Sequence, residues 1–198
     1  MRKVLWVVIT AAVALSCNEP TTPQEPEYPE ATSPTLVLRN VEMSFNRCDV
    51  DRLKAMLGRD FFFYFDPNDV GQSPPGSQYI IPESWSYTEF WDALRNMFQQ
   101  AHSISLTIKK DNVGTPGENE NTYRAGNVIL DLLVMIDELN GFRAGETGYC
   151  NFTFERYEAE GGQKLWRLTG WWDRTAGGGD AAAGSEPASI GKVFAMFK

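Results

Sequence analysis

Asp131 is the side chain in this sequence whose surroundings best suit acid–base chemistry. Leu130 and Leu132 flank it, and Ile129 and Leu133 are its neighbours on the same face of a predicted strand. Burial among such side chains disfavours the charged form of a carboxylate, which is one way in which proteins make a general base. Asp131 is therefore a candidate catalytic residue.

Tyr64 is the hydrogen-bond donor that would accompany Asp131 in a proton-transfer reaction on a small hydrophobic molecule. Two other arrangements stay open for Asp131. It could pair with Arg156 or Arg167 from a neighbouring strand, or it could be exposed at the edge of the sheet. In either arrangement Asp131 would have a structural rather than a catalytic role.

Metal-binding and nucleophilic chemistry have little support. The single histidine, His102, lies at a predicted helix end, where we expect a surface or capping residue. The three cysteines are far apart, so no metal-ligand set or Cys–His pair is recognisable, and we expect no metal and no cofactor. Cys48 and Cys150 either form a disulfide in an oxidising compartment or remain buried thiols.

The composition describes an acidic chain that can fold. Its 198 residues carry a formal net charge of −8, which makes nucleic acid an improbable partner because the phosphate backbone is negative. Apolar residues make up 42% of the chain and aromatic residues 13%, which is enough for the core of one domain.

The first part of the folded region is predicted to contain helices around one strand. Ser33 caps the first helix, Asp49 caps a shorter second helix, and residues 61–65 form an aromatic strand. Ser86 and Glu89 form a capping box at the start of the longest helix.

Strands dominate the rest of the chain. Residues 104–108 alternate between apolar and polar types, residues 127–136 are apolar on both faces, and residues 149–159 and 164–173 form a hairpin. Helices followed by consecutive antiparallel strands predict an α+β fold. The apolar segment 190–198 is expected to dock as a closing strand.

The N-terminus resembles that of a bacterial lipoprotein. A cationic start precedes an uncharged stretch that is too short to cross a bilayer as a helix, and small residues then lead to Cys17. The resemblance implies cleavage before Cys17 and attachment of acyl chains to it, which would anchor the protein in the cell envelope. Asn18 favours the outer over the inner membrane. A plain signal peptide is the alternative.

These features divide the chain into five segments. They are a signal peptide (1–16), the lipidated Cys17 with a Pro/Glu-rich tether (17–33), a folded domain (34–175), a low-complexity segment (176–189) and a C-terminal segment (190–198).

The domain resembles the nuclear transport factor 2-like superfamily, which includes the SnoaL-like proteins. The resemblance rests on residues 49–57, the aromatic strand that starts at Asp60, the amphipathic helix after Trp85, and residues 165–173. It implies a cone-like, cystatin-like α+β roll, in which a strongly curved, mainly antiparallel sheet wraps N-terminal helices and leaves an apolar pocket. The candidates for lining that pocket are Tyr64, Tyr87, Trp91, Phe98, Asp131 and Trp166.

Trp171 and Trp172 are adjacent in a predicted strand and must point to opposite faces. Either a second copy covers the outward-facing one, giving a homodimer through the sheet face, or the closing segment covers it.

Three functions are consistent with these residues. The first is a membrane-anchored, non-catalytic module that binds a small apolar ligand or an envelope protein. The second is an enzyme of the isomerase, dehydratase or hydrolase type, and the third is a structural envelope protein. Because this fold hosts catalytic and non-catalytic proteins, the residues of the site must decide.

Overall fold

The structure, a computed structural model, describes residues 27–109, 115–116, 120–145, 148–174 and 189–198. The predicted signal peptide, Cys17, most of the tether and nearly all of the low-complexity segment lie outside the described residues. Among the residues that are described, no helix is long and apolar enough to cross a membrane.

The helices and strands follow one another in a mixed order. They are α1 (Pro34–Asn46), α2 (Val50–Met56), β1 (Leu57–Tyr64), β2 (Ser84–Ser86), α3 (Tyr87–Gln100), β3 (Ser103–Lys109), β4 (Thr115–Pro116), β5 (Thr122–Met135), β6 (Gly141–Gly145), β7 (Tyr149–Glu158), β8 (Lys164–Arg174) and α4 (Ile190–Ala195).

The three helix caps that the sequence predicts are present. The side chains of Ser33 and Asp49 each accept a hydrogen bond from the backbone N–H three residues further on, at 3.3 and 2.9 Å. At the start of α3, the backbone N–H of Ser86 donates to Glu89 Oε2 at 2.9 Å. Strand β1 starts directly after α2, at Leu57, which is earlier than the predicted aromatic strand.

Within the described ranges, one sheet contains eight strands, in the order β2-β1-β8-β7-β5-β3, with β4 and β6 also paired to β5. All pairs are antiparallel except β1 with β8. The long strand β5 has an irregularity at Asn127, whose φ of 56° accompanies a register shift against β7. The first half of β5 pairs with β7, and its second half pairs with β3 and β6. This α+β fold with a curved, mainly antiparallel sheet confirms the predicted fold class.

The C-terminal segment differs from its predicted conformation. Instead of a closing strand it forms the short helix α4, whose Ile190, Val193 and Phe194 are fully buried. This helix lies on the inner side of the sheet, packed among the aromatic side chains of α1, α3, β1 and β8. A sheet face presents side chains rather than backbone groups, so a segment packed there must satisfy its own hydrogen bonds, and a helix does so.

The end of the predicted tether is part of the folded domain. Ala31 is buried, and its carbonyl accepts a hydrogen bond from the backbone N–H of Trp166 at 2.8 Å. Two arginine guanidinium groups lie 4.8 and 4.9 Å from the centre of the Tyr28 ring. Part of the segment 17–33, which the sequence assigned to the tether, therefore packs against the domain at Tyr28 and Ala31.

Candidate functional site

Asp131 lies on the outer face of β5 rather than in an enclosed apolar pocket. Its two oxygens accept hydrogen bonds from Nε and a terminal nitrogen of Arg143 on β6, at 3.1 and 2.9 Å. The side chains of Asp131 and Arg143 are 22% and 56% exposed, and with Ser105, Thr107 and Leu133 they line an open depression of about 230 Å³. Two parallel hydrogen bonds between a guanidinium and a carboxylate form a charge-assisted, bidentate pair. The arrangement contradicts the role of a desolvated base.

Tyr64 and Asp131 do not form a catalytic pair. Tyr64 is the last residue of β1, Asp131 lies in β5, and the sheet order places β8 and β7 between these two strands. The ring of Tyr64 packs against Trp172 instead. The fold therefore does not bring Asp131 and Tyr64 together as a base and a donor.

Three aromatic side chains meet on the outer face of β1 and β8, and we call Phe62, Tyr64 and Trp172 the outer aromatic cluster. The parallel register sets Tyr64 directly opposite Trp172, and their rings stack at 4.7 Å with an angle of 5° between the planes. The ring of Phe62 lies 6.2 Å from that of Tyr64, and Phe62 is 42% exposed. Because side chains alternate between faces along a strand, Phe61 and Phe63 point into the core.

Gly170 permits this packing of the outer aromatic cluster. A Cβ atom at position 170 would lie 2.5 Å from two ring atoms of Trp172 and 2.7 Å from Thr153 Oγ1. The indole of Trp172 therefore lies across a position at which any other residue would carry a side chain. In the register with β1, Gly170 is also the residue opposite Phe62.

The two adjacent tryptophans point to opposite faces, as predicted. Trp171 is buried and contacts Phe63, Phe90 and Phe194. The C-terminal segment thus covers Trp171, so the expectation that it could cover the outward-facing tryptophan is wrong. Among the described residues, nothing from α4 lies over the outer aromatic cluster.

The remaining pocket candidates are divided between the core and the surface. Phe98 is buried in the core, and Trp166 is buried with an arginine guanidinium 4.7 Å from its ring centre. Tyr87 and Trp91 are half-buried near the start of α3. Burial raises the pKa of Tyr87, and a lysine ammonium lies 4.9 Å from the ring centre of Trp91.

Cys48 and Cys150 are both free, so the disulfide that the sequence left open is not formed. Cys48 follows α1 and has a φ of 51°. Cys150 is fully buried in β7, and its sulfur lies 3.9 Å from Asp173 Oδ1. Burial, reinforced by the negative charge of Asp173, holds the pKa of the Cys150 thiol well above its usual range.

Two buried carboxylates that the sequence analysis did not single out hold α4. Asp173 Oδ2 accepts a hydrogen bond from the backbone N–H of Gly191 at 2.6 Å. Asp69 accepts a hydrogen bond from the Ser189 hydroxyl and lies 3.3 Å from the ammonium of Lys192. A carboxylate at the end of an apolar strand is a signal that could have identified Asp173, whereas Asp69 lies in a polar loop without such a signal.

In the part of the chain that the structure describes, no three His, Cys, Asp or Glu side chains are grouped so that they could hold a metal ion. His102 is exposed, and its backbone N–H donates to Met135 O at 2.7 Å. The surface position predicted for His102 is confirmed.

No protein-family model matches the chain, and no curated protein matches it. Among solved structures, the chain is similar to a conserved protein from Planctomyces limnophilus, with a TM-score of 0.50, 15% identity, and coverage of 70% of this chain and 89% of that one. A candidate scytalone dehydratase from Novosphingobium aromaticivorans matches with a TM-score of 0.50, 9% identity, and coverage of 76% and 87%.

A nuclear transport factor 2-like superfamily protein from Salmonella enterica serovar Typhimurium matches with a TM-score of 0.47, 11% identity, and coverage of 75% and 91%. Identities this low show the fold alone, and the fold hosts unrelated functions. The two likenesses with a TM-score of 0.50 therefore support the predicted α+β fold without assigning an activity.

Proposed function

We propose that this protein is a lipoprotein of the bacterial cell envelope, anchored by acyl chains on Cys17, whose domain is a non-catalytic module that binds another protein. The resemblance of residues 1–17 to a lipoprotein signal supports the anchor, and the outer aromatic cluster is the observation that carries the binding function. Large apolar side chains that touch one another on an outer sheet face are typical of a protein-binding surface.

The helix α4 occupies part of the inner side of the sheet, where a catalytic pocket would be expected. The resemblance to the nuclear transport factor 2-like superfamily implies an apolar pocket, but α4 packs on the inner side with Phe194 fully buried. The two residues proposed as base and donor, Asp131 and Tyr64, lie on the outer face and on separate strands. The outer surface is therefore the better candidate for function.

A second copy of the chain is the first partner to test. A two-fold interface brings the same patch of each copy together, so a patch of aromatic rings can serve both sides. The formal net charge of −8 opposes self-association, and burial of the aromatic rings must outweigh that repulsion. An envelope protein of different sequence is the other partner that the same surface would fit.

Sedimentation velocity of the purified full chain in detergent, over a range of protein concentrations, tests the dimer. We expect a dimer whose dissociation constant rises roughly tenfold or more with Phe62→Ser, because a buried aromatic contact at an interface centre contributes about 2 kcal/mol or more. The control is Leu139→Ser, which removes a side chain that is 91% exposed in the turn after β5 and should leave the dimer unchanged.

A monomer at all concentrations would exclude the second copy as partner. A photo-crosslinking residue placed at position 62 in cells would then test for a different envelope protein. Absence of any crosslinked protein, together with a monomeric chain, would contradict the proposal that the outer aromatic cluster binds protein.

A further inference from the structure

The helix α4 depends on the rest of the domain for its conformation. It has six residues, far fewer than the roughly 12–15 that an isolated helix needs to be even marginally stable in water. Its residues Ile190, Val193 and Phe194 are fully buried. Segment 189–198 is therefore ordered by the surface on which it lies.

That surface is built from four aromatic rings of other elements, Phe45, Phe63, Phe90 and Trp171, which we call the aromatic socket. The ring of Phe194 lies 5.6 Å from Phe63, 5.7 Å from both Phe90 and Trp171, and 6.0 Å from Phe45. Three of these four contacts are edge-to-face, the geometry that aromatic pairs prefer. The socket is shaped for one aromatic ring.

Polar groups around the aromatic socket recognise the rest of the segment. Asp173 accepts from the Gly191 N–H at 2.6 Å, and the side-chain amide of Asn96 donates to the carbonyl of Phe197 at 3.0 Å. The ammonium of Lys198 donates to the carbonyl of Glu89 at 3.2 Å. Two of these hydrogen bonds are made with backbone groups of the segment, and the third is made with its terminal lysine ammonium. Peptide-binding sites use the same kinds of contact.

Position 191 accepts only a glycine without rearrangement of its neighbours. A Cβ atom there would lie 2.7 Å from a ring atom of Phe65 and 3.1 Å from both a Phe63 ring atom and Asp173 Oδ2. Phe63 in β1, Phe65 just after β1 and Asp173 in β8 are all buried, so little space is available. The site thus selects a segment in which glycine precedes a phenylalanine by three residues.

We propose that the aromatic socket and its polar rim form a peptide-binding site that this chain fills with its own residues 189–198, and that the same site accepts residues 189–198 of a second copy when its own segment is displaced. Burial of Ile190, Val193 and Phe194, together with the polar contacts of the segment, holds it on this surface. The inference does not depend on the outer aromatic cluster, which lies on the opposite face of β1 and β8.

Binding of a fluorescent peptide with the sequence of residues 189–198 tests the proposal. The receptor is the full chain carrying Gly191→Val, whose own segment can no longer pack, and the reference is the unaltered full chain. We expect the variant to bind the natural peptide and the unaltered chain to bind it more weakly. A control peptide with Gly191→Val should bind the variant roughly tenfold or more weakly than the natural peptide does.

Equal binding of the two peptides by a folded variant would overturn the proposal. If the variant does not fold, hydrogen exchange of the unaltered full chain decides. The amides of Gly191 and Val193 must exchange through a local opening of lower free energy than that of the β7 amides. Exchange of α4 only by global unfolding would show that the segment does not separate from the domain.

Discussion

The Asp131–Arg143 pair joins β5 to β6 across the outer face of the sheet, with two hydrogen bonds between partly exposed groups. Solvent screens such a pair, and holding two side chains in one geometry costs entropy, so exposed pairs contribute about 0–1 kcal/mol. The neighbouring Leu132 points the opposite way and is fully buried. Adjacent residues of one strand therefore differ strongly in their expected contributions to stability.

We expect Asp131→Asn to lower the free energy of unfolding by less than about 1 kcal/mol. Leu132→Ala, the matched control one position away, should cost about 2–5 kcal/mol because it leaves a cavity in the core. Denaturant titration of both variants measures the difference. A loss with Asp131→Asn as large as that of the control would show that the pair is essential to the fold.

Helix α3 begins with a capping box in which Glu89 carries the negative charge. The hydrogen bond from the backbone N–H of Ser86 is the main cause that lowers the pKa of Glu89 below its ordinary value of 4.5. The hydrogen bond from the Ser86 hydroxyl lowers this pKa further. A pKa that is lower in the folded state than in the unfolded state gives stability that is fully present above the unfolded value. That stability is lost as the pH falls through the folded value.

Glu89→Ala should therefore lower the free energy of unfolding by about 1 kcal/mol at pH 7. The difference from the unaltered chain should shrink as the pH falls below 4.5, where Glu89 takes up its proton. Asp92→Ala on the same helix is the control. Asp92 lies 3.6 Å from Arg95 in an exposed ion pair, so its loss should change the free energy of unfolding by less than that of Glu89. Denaturant titration at several pH values checks this, and a loss that stays constant down to pH 3 would contradict the assignment.

The length of the segment between the proposed anchor and the folded domain limits how far the outer aromatic cluster can lie from the membrane. The segment between Cys17 and Tyr28 is Pro/Glu-rich, and as an extended chain with about 3.1 Å per residue it would span about 34 Å. On the proposal of a lipid anchor, the domain stays close to the membrane surface and meets partners that share that membrane.

Replacement of Cys17 by Ser should move the protein from the membrane fraction to the aqueous fraction of lysed cells, because stable attachment needs the acyl chains on this residue. Cys48→Ser, the control, should stay with the membrane. The measurement is immunodetection in each fraction, with the mass of the N-terminal peptide as a second readout. Membrane association of the Cys17→Ser chain would disprove the proposed anchor.

The fold class and its local signals could be predicted because they depend on residues that are close in sequence. The caps at Ser33, Asp49 and Ser86 were predicted in this way, as were the exposed position of His102 and the opposed directions of Trp171 and Trp172. Strand β6 was missed because it is short and begins and ends with glycine, which weakens any strand signal. Without β6, Arg143 could not be recognised as the partner of Asp131.

Periodicity and capping in the sequence by itself determined the helices α1 to α3 and the positions of the long strands β1, β3, β5, β7 and β8. Tertiary structure alone decided that residues 190–195 form a helix, since a short apolar run is compatible with either conformation until its surroundings are known. It also decided that Cys48 and Cys150 stay apart and that Asp173 is fully buried whereas Asp131 lies on the outer face. Each of these outcomes depends on contacts between distant parts of the chain, and no local pattern records such contacts.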